Sequence, residues 1–408
     1  MSNSYLLSLS LKIDSLTVFY TLKSDPVICA LDNYLKTSEG DNLTNSVSTY
    51  SKFVCELYDS GFFSIAAYVK KVVLDHENVY IRMIGIKKEP PSVLHSAIQS
   101  ELSILQEIAD LTPEVLTQGI ASATSLAGFV VENIDISECY RHRVQNIEKY
   151  GYGIYAKHRM FYISGDDHIV PVKNPDPVRL SQLYNYKREQ EIILSNTKAL
   201  IEGKPAANIL LTGDAGTGKS STIKAIVNEL YDCGLRILEV RKEQLTMIPS
   251  IIDELAINPL KFILFIDDLS FQKDDDNFSA LKAILEGSVS SKAQNMVIYA
   301  TSNRRHLVKE KFSDREGDDV HFNDTMQQII SLSERFGIHI TFNRPDKATY
   351  LDIVRHLVSE RGIDFDTAKL DAAAERFALA RGNRSARAAK QFADSLVSAD
   401  DKVLSSIK

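Results

Sequence analysis

Residues 213–220 constrain the fold of this 408-residue chain more than any other segment. Their sequence, GDAGTGKS, matches the pattern G-x-x-x-x-G-K-[ST]. The run NILLT before them predicts a buried strand, and the run KSSTIKAIVNELY after them predicts a helix with one apolar face. A glycine-rich turn between a strand and a helix directs backbone N–H groups and the positive end of the helix dipole toward one point. The segment therefore predicts a binding site for the phosphates of a nucleotide.

The residue types of this loop predict individual contacts. We expect Lys219 to lie between the β- and γ-phosphates of ATP and the Ser220 hydroxyl to bind Mg²⁺. The residues expected to contact the nucleotide are Gly213, Asp214, Ala215, Gly216, Thr217, Gly218, Lys219, Ser220 and Ser221. A purely structural turn is the alternative, but strand, loop and helix together favour a nucleotide site. The guanine-recognition pattern N-K-x-D does not follow the loop, so ATP rather than GTP is the predicted nucleotide.

Strand-like and helix-like segments alternate in the middle of the chain. The predicted strands are ANILLTG, LRILEVR, KFILFIDD, NMVIYATSN and IHITFN. This alternation is typical of a parallel sheet covered by helices on both faces. The last part of the chain contains three predicted helices, YLDIVRHLVSERG, TAKLDAAAERFALARG and RSARAAKQFADSLVS, and the first two end near a glycine. The fold class predicted is α/β, with a P-loop nucleotide-binding core.

Three domains are expected along the chain. Residues 1–172 are predicted to form a mixed N-terminal domain, mostly helical, with a β-hairpin near its end. The run SAIQSELSILQEIADL has helical spacing of its apolar residues, and the run GIYAKHRMFYIS, a G-D-D turn and HIVPVK read as the hairpin. Residues 173–179, KNPDPVR, are predicted to be a linker because of their prolines. Residues 173–343 would form the nucleotide-binding core and residues 344–408 a helical lid.

Two carboxylates end the predicted strand KFILFIDD. Asp267 is the expected Mg²⁺-side carboxylate, and Asp268 is placed to orient or activate the water that attacks the nucleotide. Asp is one methylene shorter than Glu, so its reach to this water is an open question, and helix capping is the alternative role for Asp268. The nearby loop QKDDDN, which contains Gln272, is interpreted as a solvated turn rather than a metal site.

Asn303 ends the predicted strand NMVIYATSN. Its side chain is expected to lie between the P-loop and the acidic strand, where it could hydrogen-bond water or the γ-phosphate. Thr301 and Ser302 compete for this role. Arg304 and Arg305 follow directly and could contact a neighbouring subunit, nucleic acid or phosphate, although a solvated surface is the commoner role for such residues.

Two further arginines are candidates for contacts with phosphate. Arg335, in the run SERFG, would lie far from its own nucleotide and at a subunit boundary, where an arginine can accelerate phosphoryl transfer across the interface. The favourable dipole at a helix C-terminus is the alternative reason for its presence. Arg387, or alternatively Arg384, could reach the phosphates from the last helix.

The composition narrows the class of protein. The chain has 47 Lys and Arg against 54 Asp and Glu, a net charge of -7, which disfavours a dedicated nucleic-acid binder. The four cysteines lack C-x-x-C spacing, which favours free thiols and a cytoplasmic setting. No run of about 18–20 apolar residues exists, so no membrane span is predicted.

The chain resembles the AAA+ superfamily of ATPases in the order of its features. These are the P-loop, the acidic strand end, the polar strand end, ERFG and the helical C-terminal part. The runs FILFIDDLSF, LKAILEG, IYATSNRRHLV and SLSERFGIHITF are more specifically similar to the bacterial AAA+ family catalogued as domain of unknown function 815. Gln272 departs from that pattern, in which Glu is expected. The resemblance implies a five-stranded parallel core, a helical lid, and ATP held between core, lid and a neighbouring subunit. It also implies the roles given above for Lys219, Ser220, Asp267, Asp268, Asn303, Arg335 and Arg387.

Several functions remain open at this level. We expect an oligomeric AAA+ ATPase, with a hexamer as one candidate ring, that remodels an unknown protein partner bound by its N-terminal domain. The alternative is a DNA-associated AAA+ switch similar to helicase loaders, whose acidic strand also ends in Asp-Asp; Arg304 and Arg305 would then face DNA. A small-molecule kinase is disfavoured because a lid arginine and an ERFG interface motif would have no purpose in it.

Overall fold

The structure, a computed structural model, describes residues 2–37, 43–120, 125–269, 276–286, 294–303 and 334–397. The chain divides into two compact units, Met1–Lys157 and His158–Lys408. The expected boundary after residue 172 is therefore wrong, because the predicted β-hairpin belongs to the second unit. Its strands pair with the central sheet of that unit.

The described part of the first unit is helical. Its helices are α1 (Ser2–Asp14), α2 (Pro26–Thr37), α3 (Leu43–Asp59), α4 (Ile65–Asp75), α5 (Val79–Gly85), α6 (Ser92–Ala109), α7 (Pro113–Thr117), α8 (Ile136–Gln145), α9 (Ile147–Tyr150) and α10 (Ile154–Lys157). The predicted helix around Ser96 is confirmed as α6. Ser64, Asn78, Thr112 and Asp135 begin α4, α5, α7 and α8 by accepting a hydrogen bond from a backbone N–H of the first turn.

One apolar core holds these helices together. Phe19, Leu35, Phe53, Leu57 and Val69 are completely buried in it. Their burial removes apolar surface from water, which is the main stabilising contribution in a helical unit of this size.

A buried carboxylate fixes the chain between α1 and α2. Glu101, on α6, accepts hydrogen bonds from the backbone N–H groups of Thr17, Val18 and Phe19 at 2.9–3.0 Å. These donors satisfy a charge that would otherwise be costly to bury.

The second unit contains a seven-stranded sheet rather than the expected five-stranded one. The strands are β1 (Met160–Ile163), β2 (Ile169–Pro171), β3 (Ile209–Gly213), β4 (Leu235–Glu239), β5 (Lys261–Ile266), β6 (Met296–Ser302) and β7 (Ile338–Phe342), in the order β2-β1-β4-β5-β6-β3-β7. The five strands predicted from the sequence are all present and parallel. The hairpin β1–β2 adds the other two, because Met160–Tyr162 pairs in parallel with Ile237–Glu239 of β4.

Helices α11 (Lys187–Ile201), α12 (Lys219–Leu230), α13 (Ile248–Ala256) and α14 (Asp276–Glu286) accompany the sheet. The inner strands are buried along almost their whole length, as expected for a sheet with two covered faces. Three residues of the segment 173–179, which was predicted to be a linker, contact α12: Asp176, Val178 and Arg179. The Asn228 side chain donates to the carbonyls of Asp176 and Val178 at 2.9 and 2.8 Å, and Arg179 donates to the Asn228 carbonyl at 2.8 Å.

The three predicted C-terminal helices are α15 (Lys347–Glu360), α16 (Thr367–Ala380) and α17 (Ala386–Val397). The chain leaves α15 and α16 through Gly362 and Gly382, which have φ values of 67° and 70°. Tyr350, Val354 and Leu370 are fully buried between these helices. Within the described ranges, none of the helices is long and apolar enough to cross a membrane.

Candidate nucleotide-binding site

The carboxyl ends of three parallel strands bring the predicted site residues together. β3 leads into the P-loop, β5 leads into Asp267 and Asp268, and β6 leads into Asn303. Because neighbouring parallel strands end at the same edge of a sheet, these residues surround one cavity of about 1280 Å³. Helices α15 and α17, which belong to the C-terminal part predicted above to be a lid, line the cavity, and residues 182–186 line it from the segment before α11.

The P-loop depends on glycine at two close approaches. Gly213 has a φ of 139°, and a Cβ atom there would lie 2.1 Å from the Phe342 carbonyl oxygen at the end of β7. Gly216 has a φ of 79°, and a Cβ atom there would lie 3.1 Å from Arg387 Cβ and 3.2 Å from Ser385 Oγ. Any larger residue would push β7 or the lid away from the loop, so these glycines let the loop curl beneath α17.

Lys219 is 5% exposed, and its ammonium is held by three oxygens. Nζ donates to the carbonyls of Gly213 and Asp214 at 2.9 Å each and to Asn303 Oδ1 at 3.0 Å. Burial lowers the pKa of Lys219, and the negative charges of Asp267, Asp214 and Asp268 act in the opposite direction. The three acceptor oxygens hold Nζ at the centre of the loop, where phosphate oxygens would be stronger acceptors than carbonyls.

Ser220 and Asp267 form a pair of oxygen donors. Ser220 Oγ donates to Asp267 Oδ1 at 2.7 Å, and the Thr301 hydroxyl donates to the same oxygen at 2.5 Å. A hydroxyl and a carboxylate beside a phosphate site suit Mg²⁺, which prefers hard oxygen ligands and takes one or two from the protein. The residues present thus fit the predicted metal, with Thr301 orienting the Asp267 carboxylate.

Asn303 connects Lys219 to Asp268. Its Oδ1 accepts from Lys219, and its Nδ2 donates to Asp268 Oδ1 at 2.7 Å. Thr301 and Asn303 line the cavity, whereas Ser302 lies between them in the sequence and is fully buried. Alternate strand residues point to opposite faces, which is why the cavity receives Asn303 and Thr301 and not Ser302.

Asp268 has an unusual backbone conformation. Its φ is 52°, in the left-handed region that Asp tolerates better than most residues. Its N–H donates to Thr301 Oγ1 at 3.0 Å, and its carboxylate accepts from Asn303. These contacts direct the carboxylate into the cavity beside Asp267.

Of the two arginines proposed for the last helix, Arg387 lines the cavity. Its backbone N–H donates to the Gly216 carbonyl at 3.2 Å. Arg384 instead forms a two-pronged ion pair with Glu375 of α16, with both distances 2.9 Å. The geometry therefore favours Arg387 as the residue that faces the phosphates.

Arg335 does not line this cavity. It precedes β7, and Ile338, the first residue of β7, pairs with Ile209, the first residue of β3. Arg335 thus lies at the amino ends of strands whose carboxyl ends carry the P-loop, about 16 Å away along five residues of strand. The residues Arg304, Arg305 and Gln272 lie outside the described ranges.

Several further residues of the cavity were not singled out from the sequence. Tyr184, Asn185 and Tyr186 line it, and Ile353 and Leu357 of α15 lie there too. The only local signal is the run LYNY directly before the predicted helix. Arg344, which follows β7, also lies 3.7 Å from the Asp214 carboxylate and connects the P-loop to the start of the lid.

Two solved structures that the chain is similar to are remote in sequence. The Thermotoga maritima RuvB Holliday junction branch migration motor is 16% identical over 56% of this chain and 71% of its own, with a TM-score of 0.36. C. elegans PCH-2 is 18% identical over 54% of this chain and 65% of its own, with a TM-score of 0.39. Both TM-scores lie below 0.5, so neither alignment determines the activity of this protein. No curated protein matches the chain.

The family comparison is more decisive. The model described as "Protein of unknown function (DUF815)" matches residues 156–400, more than half of the chain. The match begins two residues before the second compact unit and includes the hairpin, the P-loop, the acidic strand end and the three C-terminal helices. The resemblance to this family drawn from the sequence motifs is confirmed: the chain belongs to the DUF815 family.

Proposed function

We propose that the protein is an AAA+ ATPase that binds ATP with Mg²⁺, hydrolyses it at an interface between subunits, and uses the energy to remodel a protein partner. The observation that carries the proposal is the chain of side chains from Lys219 through Asn303 to Asp268, beside the Ser220–Asp267 pair. A P-loop that only bound a nucleotide would not require this arrangement, in which the Asn303 amide links the Asp268 carboxylate to Lys219.

Each residue has a physical role in this proposal. Lys219 and the P-loop N–H groups would stabilise negative charge on the phosphates, and Ser220 and Asp267 would hold Mg²⁺. The metal would neutralise charge on the β- and γ-phosphate oxygens. Asp268 would accept a proton from water or orient it, and Asn303 would hold Asp268 in position for that step. Arg387 would contact the phosphates from α17.

Arg335 is proposed to act on the nucleotide of a neighbouring subunit. Its position at the amino edge of the sheet supports this, because it lies across the sheet from its own P-loop. The proposed assembly is a homo-oligomer in which each site is completed by the next copy. Supplying an arginine in this way accelerates phosphoryl transfer by about 10³–10⁵-fold in proteins that use one.

The N-terminal unit is proposed to contact the protein partner. Tyr58, Phe63, Val130 and Val131 expose between 38% and 59% of their surface there. They are contiguous, since Tyr58 and Phe63 are in ring contact and the Val130 N–H donates to the Phe63 carbonyl at 2.6 Å. Exposed apolar residues in one patch support a protein partner over a nucleic acid, which would favour cations.

The test is ATP hydrolysis per subunit measured over a range of protein concentrations, with Lys219→Ala and Arg335→Ala beside the wild type. We expect specific activity to rise with concentration and both variants to lose at least 100-fold in kcat. Mixing inactive Lys219→Ala with inactive Arg335→Ala should restore part of the activity, because one interface in a mixed oligomer then has both residues.

Two results would contradict the proposal. Activity that is independent of concentration, with Arg335→Ala unimpaired, would exclude the shared site and favour a monomeric ATP switch. Stimulation by DNA that declines steeply with salt concentration would favour the DNA-associated alternative over a protein partner.

A further inference from the structure

An exposed segment of the N-terminal unit, residues 125–135, forms neither helix nor turn. Val130 makes a single parallel β-bridge with Ser64, and the Val130 N–H donates to the Phe63 carbonyl at 2.6 Å. The pairing ends there because the chain enters α4 at Ile65. The segment is thus a strand with one bridge, which is too little pairing to hold it in place without other contacts.

Two tyrosines of α3 hold the start of this segment. The Tyr50 hydroxyl donates to the Ala127 carbonyl at 2.8 Å, and the Tyr58 hydroxyl donates to the Gly128 carbonyl. The backbone is thereby fixed to α3 directly before the bridge.

A glutamine of α6 holds the end of the same segment. The Gln106 side chain donates to the Ile134 carbonyl at 3.0 Å and accepts from the Ile136 N–H at 2.8 Å. Residues 129–133 are therefore held between two fixed points. Holding a segment in one conformation before a partner binds reduces the entropy that is lost on binding.

The middle of the segment has an open backbone edge. The N–H and C=O groups of successive residues in an extended chain point to opposite sides, so those of Phe129 and Val131 point away from the bridge at Val130. Within the described ranges, the backbone groups of Phe129 and Val131 form no hydrogen bond with the rest of the protein. An edge of this kind accepts a further strand, which supplies the missing donors and acceptors.

The side chains beside this edge are apolar and exposed. Val130 and Val131 expose 55% and 54% of their surface, and Phe63 exposes 59%. The ring of Tyr58 lies 5.4 Å from that of Phe63 and extends the apolar surface. Because alternate residues of a strand point to the same side, this surface favours a partner segment with apolar residues at alternate positions.

The charges beside the apolar surface are negative. Asp59, at the end of α3, and Glu132, within the segment, are both exposed. Lys52 of α3 is paired with Glu56. In the part of the chain that the structure describes, neither Asp59 nor Glu132 takes part in an ion pair. Their carboxylates favour a basic partner segment and disfavour an acidic one or a nucleic acid.

We propose that residues 129–133 bind an extended segment of the protein partner as an added β-strand, with apolar residues at alternate positions and basic residues between them. The inference rests on the proposed function, which assigns partner binding to the N-terminal unit, and adds the conformation and charge of the segment that is bound. Backbone hydrogen bonds provide affinity, and the apolar side chains and the carboxylates provide selectivity. The partner is therefore recognised through a terminus or a loop that has no strand partner of its own.

The experiment measures binding of a labelled synthetic peptide to the full chain by fluorescence anisotropy, without nucleotide. The probe is an acetylated octapeptide that alternates valine and lysine, and we expect saturable binding at micromolar concentrations. The same peptide with glutamate in place of lysine should bind at least tenfold more weakly, because its charges repel Asp59 and Glu132.

Two N-methylated peptides test whether the backbone of the probe is used. One is N-methylated at its valines and the other at its lysines, so each lacks the N–H donors of one strand edge. An added strand pairs through one edge only, so one of these peptides should bind at least tenfold more weakly than the parent and the other within threefold of it. Binding through side chains alone would not distinguish the two edges.

Three variants of the chain test the location of the site. Val131→Pro removes an N–H that has no partner within the described ranges, and should weaken binding of the valine–lysine peptide at least tenfold. Glu132→Lys keeps the backbone, reverses one exposed charge, and should weaken that binding at least fivefold while strengthening binding of the valine–glutamate peptide. Glu148→Lys, at an exposed position on α9, is the matched control and should bind with a Kd within twofold of the wild type.

The outcomes separate this inference from the proposed function. Equal binding of the two N-methylated peptides would overturn strand addition, and absence of binding by the valine–lysine peptide to the wild type would overturn the docking edge. Oligomers of the full chain that dissociate in Val131→Pro and Glu132→Lys during analytical ultracentrifugation would assign the edge to a second copy of the chain instead. Because the peptides bind without nucleotide, failure here leaves the ATP hydrolysis test of Lys219→Ala and Arg335→Ala intact.

Discussion

The amide of Asn303 offers a sharp test of the catalytic arrangement. Its Nδ2 donates to Asp268 Oδ1 at 2.7 Å, a hydrogen bond to a charged group, and such bonds contribute about 1.5–3 kcal/mol. If Asn303→Ala loses this contribution only in the transition state, kcat should fall about 10- to 150-fold, at about 1.4 kcal/mol per factor of ten. KM for ATP should change little, because the P-loop N–H groups and Ser220 remain.

A second substitution at the same position separates the two contacts of the amide. Asn303→Asp keeps an acceptor for Lys219 but replaces the donor to Asp268 with a carboxylate. Two neighbouring carboxylates raise the pKa of one of them, so the acid limb of the kcat–pH profile should move to higher pH. Asn303→Ala should lower kcat without that movement.

The assay is steady-state phosphate release at saturating Mg·ATP from pH 5.5 to pH 9, with Lys219→Ala as the background. A kcat for Asn303→Ala within threefold of the wild type would show that Asp268 does not depend on Asn303. A fall in which KM rises in proportion would instead assign Asn303 to nucleotide binding.

Two further predictions concern the P-loop and the N-terminal unit. Gly216→Ala should lower the free energy of unfolding in urea by about 1–2 kcal/mol because of the positive φ, and should weaken ADP binding at least tenfold by displacing Arg387. The control is Gly203→Ala, which has a φ of 69° and nothing within 4 Å of an added Cβ, and it should show only the loss of stability. Equal Kd values for ADP in the two variants would refute the contact between residue 216 and Arg387. Burial, followed by the charge of Lys157, lowers the pKa of His76 to about 4 from 6.5, so the unfolded chain binds more protons than the folded one between these pH values. The contribution of His76 to the free energy of unfolding should be fully present above about pH 7 and should be smaller by about 1–2 kcal/mol at pH 5, after allowance for screening of the Lys157 charge. His76→Gln should show a shallower pH dependence in urea unfolding followed by circular dichroism.

Local patterns were sufficient for the central sheet and the lid helices. Each of the five predicted parallel strands is a short apolar run flanked by turn residues, and its own composition specifies its burial. Helices α15 and α16 end at glycines that adopt left-handed backbones, a stop signal that is readable without any neighbour. The hairpin was also predicted from the sequence, but its pairing with β4 was not, because strand pairing depends on which edge of a sheet is available.

By itself, the sequence determined that a P-loop precedes a helix, that a buried strand ends in Asp267 and Asp268, and that further polar and basic candidates follow. These features depend on residue type and on spacing within a few positions. Tertiary structure decided which candidates share the cavity. It placed Asn303 within hydrogen-bond distance of Lys219, which is 84 positions away in the sequence. It also placed Arg387 at the cavity while Arg384 pairs with Glu375, and it buried Ser302 while Thr301 donates to Asp267. The physical reason is that side-chain direction at a strand end and contacts between distant segments follow from sheet register and helix packing, which no local run of residues encodes.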